Sequence, residues 1–184
     1  MTFIEHSNLK DKHALLSPSN FHWINYDDEK LIETYRNKQA VEEGTRTHAF
    51  AALCIERGQK LPRSNKTLNL YVNDAIGYKL KPEQILYYSD NCFGTADAIG
   101  FLNNTLRIHD LKTGKTKADV TQLELYAALF CLEYQVNPID INIELRIYQY
   151  DSCNIFNPDP ERIKDLKQII IHHDKIVNKL RREG

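Results

Sequence analysis

An α/β domain is the fold class this sequence predicts, and two observations carry it. Stretches rich in aromatic and β-branched residues, QILYYS at 84–89, FGTADAIGFL at 93–102, TLRIHDLK at 105–112 and IDINIELRIYQY at 139–150, read as strands. Runs of good helix formers, with apolar residues at helical spacing, read as helices before, between and after them. At 184 residues the chain is long enough for one core of ordinary size and short for two. A single domain over 1–184 is therefore expected, with an N-terminal helical region over about 1–80 and a long C-terminal helix over about 159–183.

Taken in order, Ser17 and Ser19 precede a short segment carrying Phe21, Trp23 and Ile24, and Asp27 and Asp28 suit a helix start as caps and as anions near its positive end. Good helix formers then dominate Lys38 to Arg57, and Gly58 supplies a C-terminal stop. Val41, Gly44, His48, Ala51, Ala52 and Ile55 recur at helical spacing there, which turns His48 toward the core. A further helix is expected over Thr67 to Tyr78, and Pro82 is expected to break the chain before the strands. Asn103-Asn104 is a turn signal that joins the second and third strands into a hairpin.

After a loop centred on Gly114, Asp119 to Val136 runs as a helix with Leu123, Ala127, Phe130, Cys131 and Tyr134 on one face, and Pro138 ends it. Alternation of Ile141, Ile143, Leu145 and Ile147 with polar neighbours predicts a half-buried strand. Asp159 and Pro160 open the last helix, which carries Ile163, Leu166, Ile170, Val177 and Leu180 along one stripe. At about 40 Å this helix exceeds what a small sheet needs to cover, so a subunit interface is expected of it. His172 and His173 read as core or partner packing, and Tyr87 and Tyr88 as strand packing rather than base stacking.

Composition narrows the function classes. No uninterrupted apolar run is long enough to cross a bilayer, and MTFIEHSNLKDKHALL lacks the apolar core of a secretory signal, so an intracellular, cytoplasmic protein without a membrane partner is expected. Cys54, Cys92, Cys131 and Cys153 lie too far apart for a zinc knuckle or a disulfide scaffold and read as free thiols. A net charge of −1 and a pI near 6.7 do not advertise a nucleic-acid binder. Acidic metal ligands offset basic groove residues in that sum, and a polyanion is steered by the local field.

The chemistry concentrates in FGTADAIGFLNNTLRIHDLKTGK, residues 93–115. Side chains two apart on a strand share a face, so Asp110 and Lys112 project together while His109 and Leu111 point the other way. Across the hairpin Asp97 can reach the same face, giving two carboxylates and an ammonium in one place. Carboxylates so close repel unless a cation lies between them, and hard oxygen ligands select Mg²⁺ or Mn²⁺. A lysine beside the ion offsets the negative charge that builds on a phosphate under attack.

Gly94-Thr-Ala-Asp97, then Asp110-Leu-Lys112, then Gln122-x-x-x-Tyr126 resemble the three successive motifs of the PD-(D/E)XK nucleases, in their RecB-like and phage-exonuclease branch. Gly44-Thr-Arg-Thr-His48 is similar to the upstream helix of that branch, which carries a histidine. The resemblance covers roughly residues 44 to 126. It implies a restriction-endonuclease-like core with a central mixed sheet flanked by helices. Asp97 and Asp110 become metal ligands, with His48 and the Leu111 carbonyl completing the shell. Lys112 becomes the catalytic lysine, and Gln122 and Tyr126 lie on the helix that borders the site and its DNA. The implied activity is a metal-dependent DNA nuclease using Mg²⁺ or Mn²⁺, an exonuclease before an endonuclease, of phage recombination type in a bacterial host.

Three departures bear on that transfer. Cys153 stands alone where iron–sulfur members carry a cysteine cluster, so no iron–sulfur cluster is expected; no helicase segment is present, so unwinding falls to a recombination or replication partner chain; and the proline of the family's name is absent. Several residues keep a second reading. His48 also suits a satisfied core histidine, Gln122 and Tyr126 an ordinary helix-surface contact, and Asp110 with Lys112 a strand ion pair. The basic loop 112–117, with Lys115 and Lys117, is either a solvated turn or a track for phosphates. The alternative for the whole chain is a catalytically silent nuclease fold that binds DNA or a partner protein.

Overall fold

The computed structural model describes residues 14–183, so most of the N-terminal stretch read for a secretory signal lies outside the described residues. The chain divides into two units, Met1–Glu43 and Gly44–Gly184. In the first, a 3₁₀ segment at Pro18–Asn25 carries Phe21, Trp23 and Ile24, and Asp27 Oδ1 accepts the Lys30 N–H at 2.8 Å to cap the helix that follows.

That helix, α1 (Asp28–Glu56), runs unbroken where the sequence suggested a start at 27–28 and a second segment from 38. No proline interrupts it, and one interior glycine costs only about 1 kcal/mol. Gly44 is there because of a close approach: a Cβ would stand 2.9 Å from Thr113 Oγ1. Ala51 and Ile55 are buried as the periodicity predicts and Ala52 is half-buried; Cys54, outside that pattern, is buried too, whereas Val41, in the first unit, is 70% exposed. Gly58, at φ +63°, closes the helix in the left-handed conformation that only glycine adopts without cost.

The second unit is a five-stranded mixed sheet flanked by helices, the α/β class expected. Its elements are α2 (Thr67–Gly77), β1 (Lys81–Ser89), β2 (Cys92–Leu102), β3 (Thr105–Leu111), α3 (Thr121–Glu133), β4 (Asn142–Gln149), β5 (Ser152–Phe156) and α4 (Pro160–Glu183). Strand order follows the chain, β1-β2-β3-β4-β5. All neighbours are antiparallel except β3 and β4, which are parallel because α3 carries the chain back between them. Pro82 lies inside β1 rather than before it, which an edge strand tolerates. Asn103 and Asn104, at φ +50° and +58°, make the two-residue turn of the β2–β3 hairpin.

Two cores lie on the two faces of the sheet. One joins Leu106, Ile108, Leu145 and Ile147 to α3 and to Ile163, Leu166 and Ile170 of α4; the other joins Leu111 and Tyr148 to α2 and the C-terminal half of α1. β4 is consequently buried on both faces, not on one: Arg146, Tyr148 and Gln149 lie under cover along with the isoleucines. His172 and His173 are exposed and form no part of the core. All four cysteines are free thiols. No described helix is long and apolar enough to cross a membrane.

Candidate functional site

The register of the sheet sets three carboxylates in one row. In the β1–β2 ladder Pro82 faces Ala98 and Gln84 faces Ala96, so Glu83 stands opposite Asp97. In the β2–β3 ladder the last recorded pair is Ala98 with His109, and one further step sets Asp97 opposite Asp110. Like charges directly opposed across strands repel. The β2–β3 ladder ends at this row, and the Asp97 carboxylate enters the gap, where Oδ2 accepts the Leu111 N–H at 2.9 Å. Where β2 and β3 part, groups from α1 on one face and α3 on the other both reach the opening.

From α1 comes His48, whose Nδ1 lies 3.4 Å from Asp97 Oδ2. The hydrogen bond to Asp97 holds the His48 pKa above its ordinary value, against burial that pulls it down. From α3 comes Gln122, whose Oε1 accepts from Lys112 Nζ at 2.9 Å. Lys112 Nζ also lies 3.1 Å from Asp110 Oδ1, so the ammonium is fixed from two sides. Asp110 is 4% exposed, and its second oxygen, Oδ2, is buried without a hydrogen-bond partner. Burial first, and the charge of Asp97 second, raise the Asp110 pKa in spite of Lys112.

The structure thus brings together His48, Asp97, Asp110, Lys112 and Gln122. The Leu111 peptide takes part through its N–H. Tyr126 sits beneath Gly94, where a Cβ would meet its ring at 3.1 Å; the glycine exists to let β2 approach that ring. Lys115 helps line an adjoining cleft of about 440 Å³, together with Thr47, Lys66, Lys112, Gln149 and Tyr150. Buried Gln149 shapes the loop by donating to the Gly114 and Thr116 carbonyls and accepting from Ala118 N–H. Lys117 is exposed on that loop outside the cleft lining.

Glu83 was not anticipated. Ligand atoms of His48, Glu83 and Asp97 all lie within 4.8 Å of one another, and among the described residues this is the group with metal-binding spacing. Glu83 has φ +49°, an uncommon conformation for a side-chain-bearing residue, and burial together with Asp97 raises its pKa.

A family model described as a protein of unknown function (DUF2800) matches residues 79–157. That stretch spans the whole sheet and α3, including the acidic row, Lys112 and Gln122, and leaves out α1 with His48. No curated protein and no solved structure matches the chain.

Proposed function

We propose that this protein is a metal-dependent deoxyribonuclease, and specifically an exonuclease, hydrolysing phosphodiester bonds in an intracellular setting. The observation that carries the reading is a buried, unpartnered Asp110 oxygen in a row of opposed carboxylates with a fixed lysine beside it. The donors are carboxylate oxygens, which suit Mg²⁺ or Mn²⁺, joined by one imidazole. Asp97, Asp110 and His48 would hold the ion, which when bound supplies Lewis-acid polarisation of a phosphoryl oxygen. The Leu111 carbonyl remains the further ligand that the resemblance implies.

The chain's own groups supply the rest. Lys112 has three donor hydrogens and spends two on Asp110 and Gln122. Its third N–H stays available to the scissile phosphate, where a held cation stabilises charge as it develops. Gln122 acts as a positioning residue through Lys112. Lys115 lines the adjoining cleft and offers positive charge to neighbouring phosphates, with Lys117 on the loop beyond, while Lys66 on the same cleft is paired with Asp151. Preference for ends over internal cutting follows the resemblance to recombination exonucleases, as does action alongside a recombination or replication partner.

The test is digestion of linear and covalently closed duplex DNA with Mg²⁺ or Mn²⁺. The expected result is ion-dependent loss of the linear substrate, with Asp110→Asn and Lys112→Ala each lowering the rate at least about 100-fold while circular dichroism stays unchanged. Full activity in both variants would remove the mechanism. DNA binding without any cleavage by the wild type would replace it with the silent-fold reading.

A further inference from the structure

We propose that Glu83 is a cation ligand: with His48 and Asp97 it forms a divalent-cation position at the β1 side of the acidic row, one that favours Mn²⁺ over Mg²⁺. The inference rests on the cation-dependent reading of the same site and adds to it a ligand that the motif set does not contain.

Spacing is the first argument. Donors bound to one ion at about 2.1 to 2.2 Å stand no more than about 4.4 Å apart. The three ligand atoms lie within 4.8 Å of one another, so a closure of a few tenths of an ångström, within side-chain reach, completes the position. Asp110 does not belong to this trio, so the β1 side of the row needs its own donor, and Glu83 is the residue there.

Charge is the second argument. Lys112 pairs with Asp110 at one end of the row, and no lysine or arginine pairs with Glu83 at the other among the described residues. His48 is the basic side chain whose charge acts on Glu83 among the described residues. Independently of the trio, the 4%-exposed Asp110 keeps a buried oxygen unsatisfied, and its carboxyl feels the charges of both Asp97 and His48. An unsatisfied buried carboxylate oxygen facing further anions is a group built to meet a cation. Glu83 holds its place through a left-handed backbone conformation, of the sort found at ligand clamps. The imidazole nitrogen decides the ion: Mg²⁺ demands oxygen, whereas Mn²⁺ accepts nitrogen and oxygen together.

The experiment is a titration of the full chain with Mn²⁺, following free ion by electron paramagnetic resonance, with Mg²⁺ as competitor and with Glu83→Gln and Glu83→Asp alongside wild type. Wild type should bind Mn²⁺ and release it only to Mg²⁺ in roughly tenfold or greater excess. Glu83→Gln should weaken Mn²⁺ at least the roughly 10- to 100-fold that a metal ligand's outer partners command, with a melting temperature without ion no lower than that of wild type, and Glu83→Asp should fall between. Binding by Glu83→Gln equal to wild type would overturn the assignment of Glu83 and leave the nuclease reading standing. Absence of Mn²⁺ binding by wild type at millimolar ion would overturn both.

Discussion

His109 and Asp110 are neighbours in the chain and project to opposite faces of β3, and each is a buried ionisable group under a different constraint. Asp110 has a lysine on one oxygen and nothing on the other. His109 is fully buried between Tyr78 and Tyr148. The Tyr148 hydroxyl donates to Asp74 at 2.8 Å, so its oxygen is left to accept from His109 Nδ1 at 3.2 Å, and Nε2 has no partner. Burial, reinforced by the positive charges of Arg146 and Arg107, pushes the His109 pKa down to about 3. The unfolded chain, with a histidine near 6.5, takes up the proton first as pH falls. Stability linked to His109 is therefore complete above about pH 6.5 and drains away toward pH 3, at up to about 1.4 kcal/mol per pH unit. The raised pKa values of Asp110 and Glu83 act in the opposite sense, so the contribution has to be taken as a difference. Urea denaturation at pH 7 and pH 5 should show wild type losing more stability than His109→Gln, and equal losses would contradict the account.

At the scale of elements, the hairpin is what makes the site. Two adjacent asparagines impose the turn, the turn fixes the β2–β3 register, and the register opposes Asp97 to Asp110 until the ladder opens. This chain of cause was legible: Asn-Asn and the D-x-K spacing sufficed to place Asp97, Asp110 and Lys112. Glu83 was not legible for a definite reason. Counted back from the Ser89–Cys92 closure, the β1–β2 register would set Gln84 opposite Asp97. Tyr88 is an extra residue in β1, and that bulge moves every earlier pair by one so that Glu83 takes the place. Bulges carry no local composition that marks them. β5 was equally hidden, since SCNIF is short, mostly exposed and framed by polar residues.

Helix α4 divides in two. Ile163, Leu166 and Ile170 are buried against α3 and the sheet, while Val177 is 37% and Leu180 61% exposed. The apolar stripe read from the sequence is continuous, and the core it covers ends after three turns, as a helix longer than the sheet it packs on requires. Ile163→Ala should cost about 2 to 5 kcal/mol in urea denaturation, and Leu180→Ala should change stability by less than about 0.5 kcal/mol in dilute solution. A large loss from Leu180→Ala would mean that the distal half is packed, as the expected subunit interface would require.

Across the whole molecule, a net charge of −1 conceals segregation. Glu83, Asp97 and Asp110 form an acidic row across three strands, while Lys112, Lys115 and the Lys66–Asp151 pair line the cleft beside it. Summed composition could not display this, because segregation is a property of register and loop path. The burial of β4 on both faces escaped the alternation pattern for a related reason: its polar positions, Arg146, Tyr148 and Gln149, are covered because each finds partners in α2 or in the loop after β3. The fold class was readable because it depends on which segments are strands and which helices, and these the periodicities specify.

The central claim is that the opening between β2 and β3 holds a divalent cation. The most direct measurement is anomalous diffraction from crystals of the full chain soaked in Mn²⁺. A peak is expected within coordination distance of Asp97, bounded by Asp110 or by His48 and Glu83, and should disappear in Asp97→Asn crystals. Clean density for all four side chains with no peak among them at saturating Mn²⁺ would contradict it.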